Sequence, residues 1–330
     1  MFVDDYLPEP FYPVYERIKR ALIKLIPLRK ARVRERAWIK TMHHCRPAIW
    51  KFRAFSSCKD TIEEVILGSS HATLGFIPDE KSFNLSEIAF DLFFSYSVLQ
   101  YWMDRMFREG KARPALKRVI LFYDVFSPRN KLNLGSDCFR LVPYFELYGL
   151  DVQPGDRMRQ DNAMRLPFDD LRRIYRERSA SYRPHVDPRY RGAFYFDKRA
   201  FQTSAPEHVS ARVASHMNLN RGADSETKWV EKAFELCKAR NVEFVLVIPP
   251  VRKDYREALG ADEDHLFSAA RGVVVRNPEI RLLSYHSAEA FGAEDFSDAD
   301  HLNRRGALKL TRMIHSDLSR DDRGGDKEDA

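Results

Sequence analysis

The hydrophobic and polar positions of this chain change rhythm along its length. From residue 12 to 26 apolar side chains recur at helical spacing: Val14, Ile18, Ala21, Leu22 and Leu25 share one side of the wheel, and Arg17, Lys19, Arg20 and Lys24 lie mostly elsewhere. Pro27 ends that pattern, and a second basic helix is expected over 29–43. From about residue 62, short apolar runs alternate with helical stretches. Glu64 to Leu67, Ser82 to Leu85, Arg118 to Tyr123, Val242 to Ile248 and Ile280 to Ser284 read as strands. Phe90 to Arg108, Glu226 to Arg240 and Arg304 to Leu318 read as helices. Apolar strands separated by helices indicate a parallel sheet covered on both faces.

Residues 127–224 break this alternation and are rich in arginine and aromatic side chains, among them Arg172, Arg173, Tyr175, Arg176, Tyr182, Arg183, Tyr190, Arg191, Phe194, Tyr195 and Phe196. A structureless loop of that length does not suit a compact domain, so a folded insertion or cap is expected. Its composition fits a surface that grips an anionic or sugar-bearing ligand, and equally fits side chains that staple irregular structure. Three regions follow: a basic, largely helical N-terminal arm over 1–60, an α/β domain over 61–318 that carries the cap, and a charged, glycine-containing tail over 319–330 expected to be disordered. The expected fold is a three-layer α/β sandwich with a short parallel sheet, flavodoxin-like in winding.

Composition narrows the setting. With 330 residues, 44% of them hydrophobic, the chain can bury one large core or two smaller ones. Cys45, Cys58, Cys138 and Cys237 lie far apart without a C-x-x-C pair, which speaks against a zinc knuckle or a disulfide framework and suits a reducing compartment. The N-terminus lacks the apolar core of a secretory signal and no apolar run is long enough to span a bilayer, so a soluble cytoplasmic protein is expected. The charge of +7 is uneven: ten lysines and arginines fall between Arg17 and Lys40, with Glu35 the one acid among them. Such a cluster attracts anionic surfaces. It suits a packing arm, or reversible contact of residues 12–40 with an anionic membrane that would make the protein peripheral to the inner membrane. Nucleic acid is disfavoured, because no reading module accompanies the charge.

Two segments carry candidate chemistry. Val65-Ile66-Leu67-Gly68-Ser69-Ser70-His71 is an apolar strand running into a glycine turn that presents a serine. Phe296-Ser297-Asp298-Ala299-Asp300-His301-Leu302 places an aspartate and a histidine three apart before the last helix. A serine hydroxyl needs a base and an exposing turn to act as a nucleophile. Beyond the carboxyl end of a strand in an open parallel sheet, Ser70 stands where sites form, and its own N–H is an oxyanion donor. Asp298 is then placed to hold one ring nitrogen of His301 while the other faces Ser70.

Plainer readings compete. Gly-Ser-Ser is an ordinary turn, and the polar stretch before Arg304 is an ordinary helix N-terminus. Asp300 competes for the orienting role but, as the neighbour of His301, is expected to point elsewhere. A metal site from Asp295, Asp298, Asp300 and His301 lacks supporting ligands at telling spacing, so neither metal nor organic cofactor is expected. His43-His44 reads as a solvated or capping pair. His71 is a candidate pocket residue, as are Arg252 and Lys253, with Tyr255, after the strand-ending Ile248-Pro249-Pro250. Gly68-x-Ser70-x-Ala72 nearly fits the G-x-S-x-G elbow of α/β-hydrolases, but that fold has several strands before its serine and separates acid from histidine.

Gly-Ser-Ser after a first strand and D-x-x-H before the final helix resemble the SGNH (GDSL-like) hydrolase superfamily. Gly68-Ser69-Ser70 matches its first block, with Ser69 where many members have aspartate, and Asp298-Ala299-Asp300-His301 matches its last. The wording I-L-G-S-S-H-A-T-L-G-F-I-P, F-N-L-S and D-A-D-H-L-N-R-R-G-A is similar to the branch that acylates or deacylates cell-surface polymers, near proteins of teichoic-acid alanylation and polysaccharide O-acetylation. The resemblance covers roughly residues 62–126 and 226–318. It implies Ser70, Asp298 and His301 as a catalytic triad, with a small acyl donor and a carbohydrate acceptor as partners. The implied reaction is O-acyl (acetyl) transfer or hydrolysis on a bacterial surface carbohydrate or its precursor. The family's oxyanion glycine has no match in Phe83-Asn84-Leu85-Ser86, and its oxyanion asparagine has none nearer than Asn130 after Phe122-Tyr123-Asp124-Val125-Phe126-Ser127. Ser70, Asn84 and Ser86 are therefore the oxyanion candidates. The alternative is a catalytically inactive SGNH-like module that binds glycan or membrane.

Overall fold

The computed structural model describes residues 29–108, 113–160, 162–179, 191–192, 206–218, 226–260 and 262–321. The helix expected over 12–26, most of the expected tail and Tyr182, Arg183, Tyr190, Phe194, Tyr195 and Phe196 lie outside the described residues. The chain divides into two compact units, Met1–Ala54 with Leu132–Pro188, and Phe55–Lys131 with Arg189–Ala330. The described parts of the N-terminal segment up to Ala54 and of the insertion from residue 132 to 179 fall in the first unit.

The helix beginning at Arg29, whose residues up to Ala54 belong to the first unit, runs on to Cys58, fifteen residues past the expected end. The expectation stopped short of Pro47, which removes one helical donor. Trp38, Thr41, Cys45, Ala48 and Ile49 nevertheless form a buried stripe at steps of three and four, and that burial carries the helix through the proline. Within the unit Phe52 meets Tyr148 edge-on at 4.8 Å, and the Cys45 thiol faces the Phe139 carbonyl at 3.9 Å. The arginine and aromatic side chains of the insertion act as staples here. Arg178 pairs with Glu35 at 2.7 Å beneath Trp38, and Arg172 pairs with Glu146 at 2.6 Å over Phe145.

The second unit holds a five-stranded, all-parallel sheet in the order β2-β1-β3-β4-β5. The strands are β1 (Glu64–Leu67), β2 (Ser82–Asn84), β3 (Arg118–Phe122), β4 (Glu243–Ile248) and β5 (Arg281–Ser284). The winding reverses between β1 and β3, and in open α/β sheets ligands bind beyond the strand carboxyl ends at such a point. Alternate side chains serve opposite faces. Ile66, Ile120, Val245 and Val247 pack with Phe76, Leu310 and Ile314, burying the helices Ser70–Gly75 and Arg304–Asp321 against one face. On the other, Phe244 meets Phe234 of the helix Lys228–Lys238, whose Trp229 packs at 4.8 Å on Phe93 of the helix Leu92–Met106. Each fully buried side chain of this size contributes about 1.5–3 kcal/mol, so the two-sided cover fixes the central strands β1, β3 and β4.

The last helix continues to Asp321, so the expected tail begins as helix. At the sheet edge the N–H of Asn84 donates to the Arg191 carbonyl at 2.8 Å. Gly192, at φ +86°, follows so closely that a Cβ there would lie 2.1 Å from the Asn84 carbonyl oxygen. The segment thus covers an otherwise open strand. Among the described residues no helix is long and apolar enough to cross a membrane.

Candidate active site

β1 ends at Leu67, and Gly68 turns the chain at φ +130°. The turn has no room for a side chain: a Cβ on Gly68 would lie 2.9 Å from the Phe122 Cβ on the neighbouring strand. Ser69 caps the short helix Ser70–Gly75, its hydroxyl accepting the His71 N–H at 3.3 Å and donating to Asp124. Ser70 stands at the first helical position, whose N–H has no intrahelical acceptor; no acceptor for it lies among the described residues.

The second segment comes from the loop before the Arg304–Asp321 helix. Phe296 and Leu302 form an antiparallel bridge, and Ser297 N–H donates to the His301 carbonyl at 2.8 Å. Asp298 closes the turn, one carboxylate oxygen accepting the N–H groups of Asp300 at 3.1 Å and His301 at 2.8 Å. Its other oxygen lies 2.9 Å from His301 Nδ1, and His301 Nε2 lies 2.8 Å from Ser70 Oγ. Burial works against the Asp298 charge, but the His301 contacts outweigh it and hold the carboxyl below the usual range. The three residues named from sequence are therefore in hydrogen-bonding line, across 231 positions of chain.

Behind this line lies a buried network that sequence reasoning missed. Asp124 follows β3 and faces His71 Nδ1 at 3.1 Å, while His71 Nε2 faces Asp300 at 3.4 Å. Arg212, from the helix Pro206–Met217, grips Asp300 with Nε at 3.1 Å and Nη2 at 3.2 Å. On the same helix, His216 Nδ1 meets the Tyr255 hydroxyl at 2.6 Å. Burial alone would strip the proton from His71, but Asp124 and Asp300 outweigh it and raise its pKa to about 10. Asp300 is held well below the usual carboxylate range: burial opposes, and the His301, His71 and Arg212 charges prevail. His216 has no such balance, and burial with the nearby Arg212 lowers it to about 4 despite Asp300. His286 falls to about 4 for the same first reason, with Arg256 adding to it. His71, Asp124, Tyr255 and His286 line a cavity of about 10 Å³, room for about one water. The available signal was thin: Asp124 at a strand end, and Arg212 and His216 four apart on one helix.

The remaining candidates have other work. His71 is buried and committed to its two carboxylates, so it does not present its ring to a substrate. Arg252 is buried too, bound at 2.6 Å through both Nε and Nη2 to Asp254, and its N–H donates to the Ala299 carbonyl at 3.2 Å. That bond ties the loop after β4 to the His301 loop. Lys253 points into solvent beside Glu257. Tyr255 is buried on His216. Asn84 is fully buried; its amide donates to the carbonyls of Ala72 at 2.9 Å and Phe76 at 3.3 Å, while its oxygen accepts the N–H and hydroxyl of Ser86. The Ser86 hydroxyl also meets Thr73 at 2.9 Å, and Asn130 donates to the Ala89 and Phe90 carbonyls. These side chains lock β2 and its following loop to the Ser70 helix, which corrects their candidacy as oxyanion donors. Of the three candidates, Ser70 N–H alone has no acceptor among the described residues.

Among the described residues one group, His71, Asp300 and His301, brings three ligand atoms within 4.8 Å of one another. It does not fit an ion, because both His301 nitrogens face Ser70 and Asp298, and Arg212 holds Asp300. Asp295 is likewise taken, by Lys309 and Arg305. The His43 and His44 side chains lie outside the described residues. Compared with known proteins, the chain matches no protein-family model and no curated protein.

Proposed function

We propose that this protein is a serine-dependent acyl-transfer enzyme of SGNH type, acting on an O-acyl (acetyl) group of a bacterial surface carbohydrate or its precursor. The observation that carries the catalytic part is the Ser70–His301–Asp298 line, at 2.8 and 2.9 Å, assembled at the carboxyl edge of a parallel sheet. The strand order 2-1-3-4-5 is that of flavodoxin-like winding and supports the family resemblance of the two motifs; the carbohydrate and acetyl assignments rest on that resemblance.

In this mechanism His301 Nε2 takes the Ser70 proton as Oγ attacks the acyl carbonyl. The carbonyl oxygen becomes an oxyanion facing the Ser70 N–H. His301 returns the proton to the leaving oxygen, and an acyl-serine remains. Water, or a sugar hydroxyl, then gives its proton to His301 as its oxygen attacks the acyl carbon, and His301 passes that proton to Ser70 Oγ as the acyl–Oγ bond breaks. Each oxyanion donor is worth roughly 10²–10³ in rate, so with one assigned donor turnover is slow unless the substrate supplies another. A cytoplasmic location, with residues 12–40 resting on anionic lipid, completes the proposal; co-sedimentation with anionic liposomes, lost on deleting residues 1–45, tests it.

A second reading, a glycan- or membrane-binding module without turnover, is favoured by the commitment of Asn84, Ser86 and Asn130 to internal hydrogen bonds. A fluorophosphonate probe separates the two. Stoichiometric labelling of Ser70, abolished in Ser70→Ala and strongly reduced in His301→Ala, supports the enzyme; a folded protein that never labels leaves the binding module.

A further inference from the structure

His301 has two carboxylates within reach. Asp298 makes the hydrogen bond, but its side chain is 47% exposed, and water screens a charge so placed. Asp300 lies 3.7 Å from His301 Nδ1 with its side chain 1% exposed, where a charge acts more strongly. A carboxylate that deep persists only when paired, and Arg212 and His71 pair it.

We propose that Asp300 is a positioning residue of the site, a second electrostatic partner that stabilises the imidazolium formed on His301 when Ser70 gives up its proton, with Arg212 and His71 holding it in place. This rests on Ser70 acting as the nucleophile. The proton moves from Ser70 Oγ to His301 Nε2, Nδ1 keeps its proton toward Asp298, and Asp300 takes none. The charged and titratable groups around the ring are Asp298 and Asp300 on its own loop, His71 stacked on its face, Asp124 behind His71, Arg212 and His216 on the Pro206–Met217 helix, and, after β4, Arg252, whose charge acts on both aspartates, and Tyr255. His71 as a cation opposes the imidazolium, but Asp124 neutralises it at 3.1 Å. Arg212 partly offsets Asp300, so the two are opposed controls on one proton.

The test is the rate of Ser70 labelling by a fluorophosphonate from about pH 5 to about pH 9, spanning the range in which a histidine base titrates. Removing the Asp300 charge in Asp300→Asn makes His301 harder to protonate. Labelling slows roughly tenfold to a hundredfold, part of the 10²–10⁴ that general-base catalysis supplies, and the acid limb moves to lower pH. Arg212→Gln removes the opposing cation from a half-exposed position and moves the limb to higher pH, while Arg212→Lys restores it. A merely structural role would not move the two limbs in opposite directions. The same limb in wild type and both variants, or a shift of one sign in both, overturns the proposal. If Asp300→Asn gives no cooperative melt, the Arg212→Gln and Arg212→Lys pair decides by the same criterion. If wild type never labels, the nucleophile reading is what fails; the midpoint of the His301 ring titration, followed by NMR in the same variants, then decides this inference, opposite shifts supporting it and no shift overturning it.

Discussion

The imidazole rings of His71 and His301 lie face to face, centroids 4.8 Å apart and 25° from parallel. Neighbouring carboxylates give these stacked rings different work. His71 has both nitrogens turned to buried aspartates and stays charged, while His301 has one nitrogen on Asp298 and the other on a serine hydroxyl. A buried ion cluster directly beneath the His301 ring links the stability of the fold to the charge balance of the site.

Stability is accordingly expected to peak near neutrality and fall on both sides. The His71 pKa is raised from 6.5 to about 10, so its contribution is complete below 6.5 and is lost as pH rises through about 10. His216 and His286 are lowered from 6.5 to about 4; their contributions are complete above 6.5 and are lost as pH falls through about 4. Urea midpoints across pH check this. His71→Gln should flatten the alkaline limb and leave the acid limb standing.

Gly68→Ala is expected to destabilise the second unit by about 1–3 kcal/mol, the cost of a side chain in a left-handed turn. The new methyl would also press on Phe122. Because the same turn aims Ser70, labelling of the protein that remains folded should drop as well; thermal melts and labelling rates measured on one sample test both halves.

Asn84→Ala separates two roles cleanly. As an oxyanion donor Asn84 would cost roughly 10²–10³ in labelling rate when removed. As the structural bridge seen here, its loss removes the hydrogen bonds to the Ala72 and Phe76 carbonyls and to Ser86, about 1–3 kcal/mol, while the folded fraction labels within about threefold of wild type, as expected for a residue off the reaction path. A large rate loss without loss of stability would reverse the assignment.

Asp298→Asn keeps the shape of the turn and removes the charge beside His301. Labelling should slow by roughly 10²–10⁴, since the ring loses both its tautomer and its support. Lys253→Ala is the contrast: its ammonium stands in solvent, so rate and stability should stay within about 0.5 kcal/mol of wild type.

The sheet was legible because parallel strands buried on both faces write themselves as unbroken apolar runs, and Val242 to Ile248 or Arg118 to Tyr123 admits few other meanings. Helix ends were less so: Pro47 reads as a stop, yet the buried stripe from Trp38 to Ile49 overrides it. The Ser70, Asp298 and His301 alignment was readable because a turn and an i, i+3 pair fix local geometry wherever they occur. The network behind it was not, since His71, Asp124, Arg212 and Asp300 come from four separate segments and meet only through the topology. Asn84 misled for a related reason: near a nucleophile, an asparagine that binds substrate and one that binds backbone are spelled alike.

The interleaving of the two units carries a consequence for synthesis. By Pro188 the ribosome has released all of the first unit, while the second has only three of its five strands and a serine without its base. His301 arrives more than a hundred residues later, so Ser70 spends most of translation without the imidazole it faces in the folded chain. For the same reason a shortened gene lacking residues 132–188 would not yield a trimmed but intact protein: it would strip Cys45 and Phe52 of their partners Phe139 and Tyr148 and leave an uncovered sticky face.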